Sequence, residues 1–431
     1  MFGNSGSANV SELREPDDFA IDLGTATGLI FSRGPENTIG SLGSIRVQQT
    51  AGGEPTEVNH IPTLVSRKIE QIVEEDETNM GWCARKGKRI HLEMARNEKF
   101  KREQSEAELD DVIDNDDQNA GIVAMGQDAF NRWGRMTKEV TVPAVRRGNI
   151  ADIPAYRALM RHLIRIKNPK FEWSFEGTSR PPRVLIGVPH NATTRHRDII
   201  KHVIEKNLKA EAILIWEQIA AAVGARLPNG GIPFNEPRSV AIGDAGGGTF
   251  DFAVLNNGAV ANQESFDTAG DDLNEAIKMY LAREHDLDIG DRTAIQIKEA
   301  IGSAMPFDSE IEAKEYIVKG SSFATELPNC VTITPEKIRQ CLLPVINEMV
   351  NNVERYLRHL HRVGDMHGDI LENGFYLTGG TSLLHGLVEY LIERTGLKFV
   401  RVENPMTSVI DGLTIMLEDD ELLELGRATA A

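Results

Sequence analysis

The sequence predicts an α/β protein built of two related halves. Two glycine-bearing turns carry that expectation, each headed by an aspartate at the end of an apolar run: Phe19-Ala-Ile-Asp-Leu-Gly-Thr-Ala-Thr27 and Val240-Ala-Ile-Gly-Asp-Ala-Gly-Gly-Gly-Thr-Phe-Asp251. A plain hairpin turn needs no acid before its glycines and no threonine after them. A matched pair more than 200 residues apart therefore predicts two halves that grip one nucleotide between them. The length agrees, since 431 residues suffice for two or three domains with substantial cores.

Taken in order, residues 1–16 are polar and read as a flexible N-terminus. Strand patterns at 18–23 and 27–33 flank the first turn as the arms of a hairpin. Asp22 ends the first arm, where a carboxylate can hold a hydrated Mg²⁺, and Gly24 lets the backbone turn tightly. N–H groups and the hydroxyls of Thr25 and Thr27 can then approach phosphate oxygens. From Pro154 to Ile166 the residues Tyr156, Leu159, Met160, Leu163 and Ile164 recur at helical spacing and predict one buried face. An apolar strand, Val184 to Pro189, leads to a second helix that Thr193 or Thr194 can cap, with Ile199, Ile200, Val203, Ile204 and Leu208 as its stripe. The cluster Pro228-Asn-Gly-Gly-Ile-Pro233 marks a domain boundary. Beyond it the strand–turn–strand pattern begins again at Val240, with Asp244 as the acid and Gly246, Gly247, Gly248 and Thr249 as the phosphate turn.

Several function classes are set aside by composition. A net charge of −18 argues against nucleic acid as a primary partner. Cys83, Cys330 and Cys341 form no CxxC pair and suggest neither a disulfide framework nor a zinc site. No apolar run is long enough to span a bilayer, and Met1-Phe-Gly-Asn-Ser-Gly-Ser has neither the basic nor the apolar region of a signal peptide, so a cytoplasmic protein is expected. Gly81 to Arg89 has the look of a Walker A loop but fails it, with five residues rather than four before Gly87-Lys88 and Arg89 where Ser or Thr must bind the metal.

Further segments complete a set: His190-Asn-Ala-Thr-Thr-Arg-His-Arg-Asp198, Leu214-Ile-Trp-Glu-Gln-Ile-Ala-Ala-Ala-Val-Gly224 and Gly374-Phe-Tyr-Leu-Thr-Gly-Gly-Thr-Ser-Leu-Leu384. In chain order with the two turns, these resemble the phosphate-1, connect-1, phosphate-2 and adenosine motifs of the actin/heat-shock-chaperone ATPase superfamily, most closely the MreB-like bacterial actins. Gly148 to Asp152, Ile297 to Ala304 and Glu403 to Thr407 match the same group, and the likeness runs from about residue 17 to 418.

The resemblance implies an actin-like ATPase fold: two related α/β domains, each with a smaller subdomain, and a nucleotide in the cleft between them. Domain I would span 17–233 with an outer subdomain at about 51–140, and domain II would span 234–431 with an outer subdomain at about 286–373 and closing C-terminal helices. It implies slow Mg-dependent ATP hydrolysis coupled to polymerisation into cytoskeletal filaments, with ATP/ADP and Mg²⁺ as cofactors and copies of the chain itself as partners. Asp22 and Asp244 would hold the hydrated metal, while Gly24, Thr25, Ala26, Thr27, Gly246, Gly247, Gly248 and Thr249 would hold phosphates. Gly270, Asp271, Asp272 and Lys298 would lie by the ribose and adenine, and Gly379, Gly380 and Thr381 would line the adenosine pocket. Glu217 would orient the attacking water, with an ordinary surface acid at a helix start as the alternative reading.

The chain departs from the pattern at three places. Gln218 stands where the family has proline, which is expected to loosen the turn presenting Glu217. Ile295 replaces a glutamate that contacts the ribose or base. The second turn ends in Thr-Phe-Asp, as in the heat-shock chaperones, although only about 50 residues follow Thr381 and no chaperone substrate domain is expected there. Residues 67–120 form a charged insertion, with acidic runs around Arg85-Lys-Gly-Lys-Arg89, that reads either as a solvated elaboration of the outer subdomain or as a partner contact. Two readings also stand for Lys167-Asn-Pro-Lys-Phe-Glu-Trp-Ser-Phe-Glu176. Phe171, Trp173 and Phe175 project to one side of an extended segment, either toward a membrane surface or onto the core as an ordinary edge strand.

Overall fold

A computed structural model of the chain describes residues 16, 18–24, 27–33, 61–62, 64–68, 122–125, 128–129, 133, 139–167, 180–227, 239–256, 259–363, 370 and 372–424. Thr25 and Ala26, most of the charged insertion, the aromatic segment 171–175 and the breaker cluster 228–233 lie outside the described residues.

The first half opens with strands β1 (Asp18–Leu23) and β2 (Thr27–Arg33), an antiparallel hairpin in which Asp22 pairs with Leu29. Strand β3 (Ile61–Pro62) adds to β2, and β4 (Leu64–Lys68), β5 (Ile122–Met125) and β6 (Glu139–Pro143) make a separate three-stranded sheet. A two-residue turn then joins β7 (Val145–Arg146) to β8 (Asn149–Ile150). Its residues Arg147 (φ +46°) and Gly148 (φ +69°) are both left-handed, as a turn matching the strand twist requires.

Helix α1 (Ile153–Lys167) buries the predicted stripe, with Tyr156, Leu159, Met160, Leu163 and Ile164 no more than 1% exposed. Burying each such side chain is worth roughly 1.5–3 kcal/mol, so this face fixes how the helix sits on the sheet. Strand β9 (Arg183–Val188) pairs in parallel with β1. Helix α2 (Thr194–His202) follows, capped by Thr193, whose hydroxyl accepts the His196 N–H at 3.2 Å. It continues as a π-helical turn over Val203–Asn207, and the whole predicted stripe from Ile199 to Leu208 is buried. Strand β10 (Glu211–Trp216) runs straight into α3 (Glu217–Gly224).

The second half repeats the plan. Strands β11 (Val240–Ala245), β12 (Phe250–Asn256) and β13 (Ala259–Phe266) form an antiparallel set, followed by α4 (Gly270–His285), β14 (Leu287–Asp288), α5 (Asp291–Ile301) and the short α6 (Ser309–Glu312). Strands β15 (Tyr316–Ser322) and β16 (Pro328–Ile333) complete a small sheet with β14, and α7 (Pro335–Val363) leads to β17 (Phe375–Thr378), α8 (Leu387–Thr395), β18 (Phe399–Arg401) and α9 (Ser408–Glu418).

The two large sheets have orders β10-β9-β1-β2-β3 and β18-β17-β11-β12-β13. In each, a central strand has an antiparallel hairpin partner on one side and two parallel strands on the other. The central strands are near-continuous apolar runs because both faces of each sheet are covered. Two cores result, one around Phe19, Ile186 and Ile215 and one around Phe250, Phe252 and Phe375. The closing helix α9 packs in the first of these, not the second. It crosses α3 at a glycine pair so close that a Cβ on Gly412 would stand 1.8 Å from the Ala220 carbonyl oxygen.

At the foot of β1, Asp18 is 2% exposed and saturated by cations. Arg180 binds both its oxygens at 2.8 and 2.6 Å, and Arg183 adds its backbone N–H at 2.8 Å and its guanidinium at 2.9 and 3.1 Å. Burial alone would raise this carboxyl; the arginine hydrogen bonds outweigh it and hold the pKa below the usual range.

Candidate nucleotide site between the two sheets

In an α/β sheet, ligands sit outside the carboxyl ends of the strands, and here those ends bring four acids together. Asp22 lies one residue from the end of β1 and Asp244 one residue from the end of β11. Glu217 opens α3, and its side chain crosses β9 over Gly187, where a Cβ would meet Glu217 Cγ at 3.1 Å. Asp251 is the cross-strand partner of Asp244. Burial pushes Asp22 up to about 7, with the Asp244 charge adding to it, and pushes Asp244 itself to about 6. Burial, together with repulsion from Asp244, raises Asp251 to about 7. Glu217 goes well above the carboxylate range through burial and the charges of Asp22, Asp251 and Asp244. Half-buried over Gly187 and beside three other acids, it is not a solvated surface acid.

Oxygen-only donors that repel one another fit a hard divalent cation. Among the described residues, no group of three or more His, Cys, Asp or Glu is placed to ligate an ion directly. Two carboxylates facing one cleft from separate sheets suit an ion held through its water shell.

The second turn is tied down by its carbonyls. Gly246 N–H closes it on Thr249 O at 3.0 Å, Gly246 O accepts from Thr381 Oγ1 at 2.7 Å and from Gly270 N at 3.2 Å, and Gly247 O accepts from Asp271 N at 2.7 Å. The N–H groups of Gly247, Gly248 and Thr249 have no protein acceptor among the described residues, which is the arrangement of an anion nest. Gly379 (φ +81°) must be glycine, because a Cβ there would lie 2.4 Å from Asp244 Oδ1. Beside the turn starts α4, whose Asp272 carboxylate accepts the Ala269 N–H at 3.0 Å. Burial raises Asp271 to about 6 against the pull of Lys298, and Lys298 donates to Gly270 O at 3.1 Å.

Thus Gly246 to Thr249, Gly270 to Asp272, Lys298, Gly379 and Thr381 gather at one place. Gly380 is exposed on its edge, where a Cβ would meet Met406 Sδ at 2.9 Å. On the first side only Asp22, Gly24 and the backbone of Thr27 are described. Helix α3 begins directly at Glu217, and the amide of Gln218 is fully buried with no hydrogen-bond partner among the described residues. Sequence reading missed Arg147, whose guanidinium reaches from the first half to Asp272 of the second at 2.8 Å. Arg-Gly-Asn signals the hairpin, but nothing local signals that partner. Asp251 was visible in the motif without a role and proves to be part of the acidic cluster.

A family model described as "MreB/Mbl protein" matches residues 108–424. The chain belongs to the MreB/Mbl family, the bacterial actin-like cytoskeletal ATPases concerned with cell shape. It is 30% identical over 309 residues to the cell shape-determining protein Mbl of Bacillus subtilis, covering 71% of this chain and 88% of Mbl. It is 34% identical over 292 residues to the cell shape-determining protein MreB of Escherichia coli, covering 68% of this chain and 80% of MreB. Among solved structures, MreB5 of Spiroplasma citri bound to AMPPNP matches with a TM-score of 0.68 at 22% identity, covering 94% of this chain and 97% of that one. The MamK double helical filament matches with a TM-score of 0.61 at 15% identity over 94% of this chain and 99% of that one. The actin-like fold of an MreB/Mbl protein therefore extends over both sheets, including strands β1 to β3, which precede residue 108.

Proposed function

We propose that this MreB/Mbl protein binds Mg·ATP between its two sheets, hydrolyses it slowly and assembles head to tail into protofilaments when ATP is bound. The observation that carries the reading is the cluster of Asp22, Asp244, Asp251 and Glu217, gathered from both sheets at the strand ends and lifted toward neutrality by burial. Asp22 and Asp244 hold the hydrated ion, and Gly247, Gly248 and Thr249 donate to phosphate oxygens. Lys298 and Asp271 shape the ribose side, and Glu217, with its raised basicity, orients the attacking water. A bound Mg²⁺ supplies charge neutralisation at the phosphates. The AMPPNP- and ADP-bound crystal structures of Spiroplasma citri MreB5 support the adenine nucleotide. The cleft divides domain I (17–233) from domain II (234–431), with α9 returning to the first core.

Replacing Asp22 or Asp244 by Ala should abolish Mg-dependent ATP binding; unchanged affinity in both variants would sink the assignment. Glu217→Ala should keep binding and lose turnover. Assembly is checked by electron microscopy with Mg·ATP across a salt series, because subunits of net charge −18 repel one another until screened. A head-to-tail interface that does not close gives open strands; monomers under every condition would contradict it. The filament works in the cytoplasm. No described helix is long and apolar enough to cross a membrane, and surface attachment would run through Phe171, Trp173 and Phe175. Co-sedimentation with anionic liposomes, compared with a variant carrying Ser at all three positions, decides that contact.

A further inference from the structure

Beside Glu217 lies a small recess with room for a water-sized sphere's centre of about 10 Å³, close to what one buried water needs. It is lined by apolar residues, among them Leu23, Val145, Ile186 and Ile200, and by three residues with ionisable side chains: Glu217, Tyr156 and His196. Tyr156 is 1% exposed, and its hydroxyl has no hydrogen-bond partner among the described residues. A buried hydroxyl left without a partner is costly, whereas a recess of one-water size with several polar groups in its lining is where bridging waters sit. His196 accepts the Ile150 N–H on Nδ1 at 3.2 Å, and burial lowers its pKa to about 4, so the ring is neutral. Burial likewise keeps the Tyr156 phenol protonated and able to donate.

We propose that this recess binds one ordered water that joins the Tyr156 hydroxyl to the Glu217 carboxylate, making Tyr156 a positioning residue for the glutamate. Tyr156 comes from α1, Glu217 from α3 and the intervening wall from β9, so the bridge holds the glutamate's rotamer from a separate helix. The inference rests on Glu217 being the water-orienting residue.

The test is Tyr156→Phe, which removes the hydroxyl at nearly constant volume, measured beside wild type and Glu217→Ala. The expected result is a roughly tenfold lower kcat, of the size seen when an outer hydrogen-bond partner is removed from a functional group, with KM for ATP unchanged and a melting temperature no higher than wild type. A high-resolution crystal structure of the wild type should show a water within hydrogen-bonding distance of both residues, and that of the variant should lack it. An unchanged kcat, a change confined to KM, a variant that melts higher than wild type, or no water in the wild-type recess would each overturn the bridge. If instead Glu217→Ala keeps full turnover, the role of Glu217 itself is what fails.

Discussion

Asp18 and Asp22 stand four residues apart on the same strand, yet the chain treats their charges in opposite ways. Asp18 has two arginines around it and is held ionised. Asp22 faces Asp244 across the cleft and has Glu217 of its own half nearby, and burial pushes it up to about 7. A carboxylate supplied with its own cations is scaffold, pinning the foot of β1 to the segment that enters β9. Carboxylates gathered without cations are unstable unless something positive arrives. Their place at the strand ends marks where it arrives, and the penalty of keeping them together is the strain a functional site tolerates.

The sharpest way to break this comparison is to remove each acid in turn. Asp18→Ala removes the carboxylate that Arg180 and Arg183 share, and should cost about 3 kcal/mol in a urea denaturation, near the low end for a broken buried pair because Arg180 is partly exposed. Asp22→Asn should leave stability unchanged or higher while losing Mg-dependent nucleotide binding. Equal destabilisation by the two would erase the distinction.

The pH dependence comes next in size. The acids of the cleft have folded pKa values above their unfolded ones, so the folded state binds protons more tightly and loses stability as pH rises from about 4 to about 7. A shift of two pKa units corresponds to about 3 kcal/mol, and the acids share that repulsion rather than adding to it in full. Asp18 has the opposite sign: its stabilisation is present above an unfolded pKa of about 3.9 and is lost as pH falls. Melting temperatures of the nucleotide-free protein should therefore peak near pH 4 and decline toward pH 7, roughly the upper end of the window set by the raised acids. Mg·ATP should flatten the decline. A monotonic rise to pH 7 without nucleotide would contradict it.

The smallest effect is expected at Arg147. Its ion pair with Asp272 crosses the cleft but is 45% exposed on the arginine side, so Arg147→Ala should cost only about 0.2–1 kcal/mol. The loss should shrink further at high salt. A faster release of nucleotide in stopped flow would show that the pair helps hold the cleft shut.

Much of this was legible because the signals are local. The hairpin arms end where apolar runs meet Asp and Gly, Thr193 caps α2 through its own hydroxyl, and the α1 stripe follows from three- and four-residue spacing. What was not legible depends on residues distant in the chain. The Arg180 and Arg183 partners of Asp18, the reach of Arg147 to Asp272 and the packing of α9 against α3 are set by how the sheets fold back, and no nearby residue announces them. The π-helical turn at Val203–Asn207 keeps the apolar stripe buried, so the hydrophobic pattern gives no sign of it. Glu217 carried two readings in sequence because a helix-start acid is common; its position over Gly187 is what separates them.

The most direct test is a crystal structure grown with Mg·AMPPNP. The expected result is one ion between Asp22 and Asp244, bridged to both through its waters, with the terminal phosphate against the Gly247 to Thr249 N–H groups and Glu217 facing it. An ion bound to only one of the two aspartates, or a nucleotide seated away from the second turn, would contradict it.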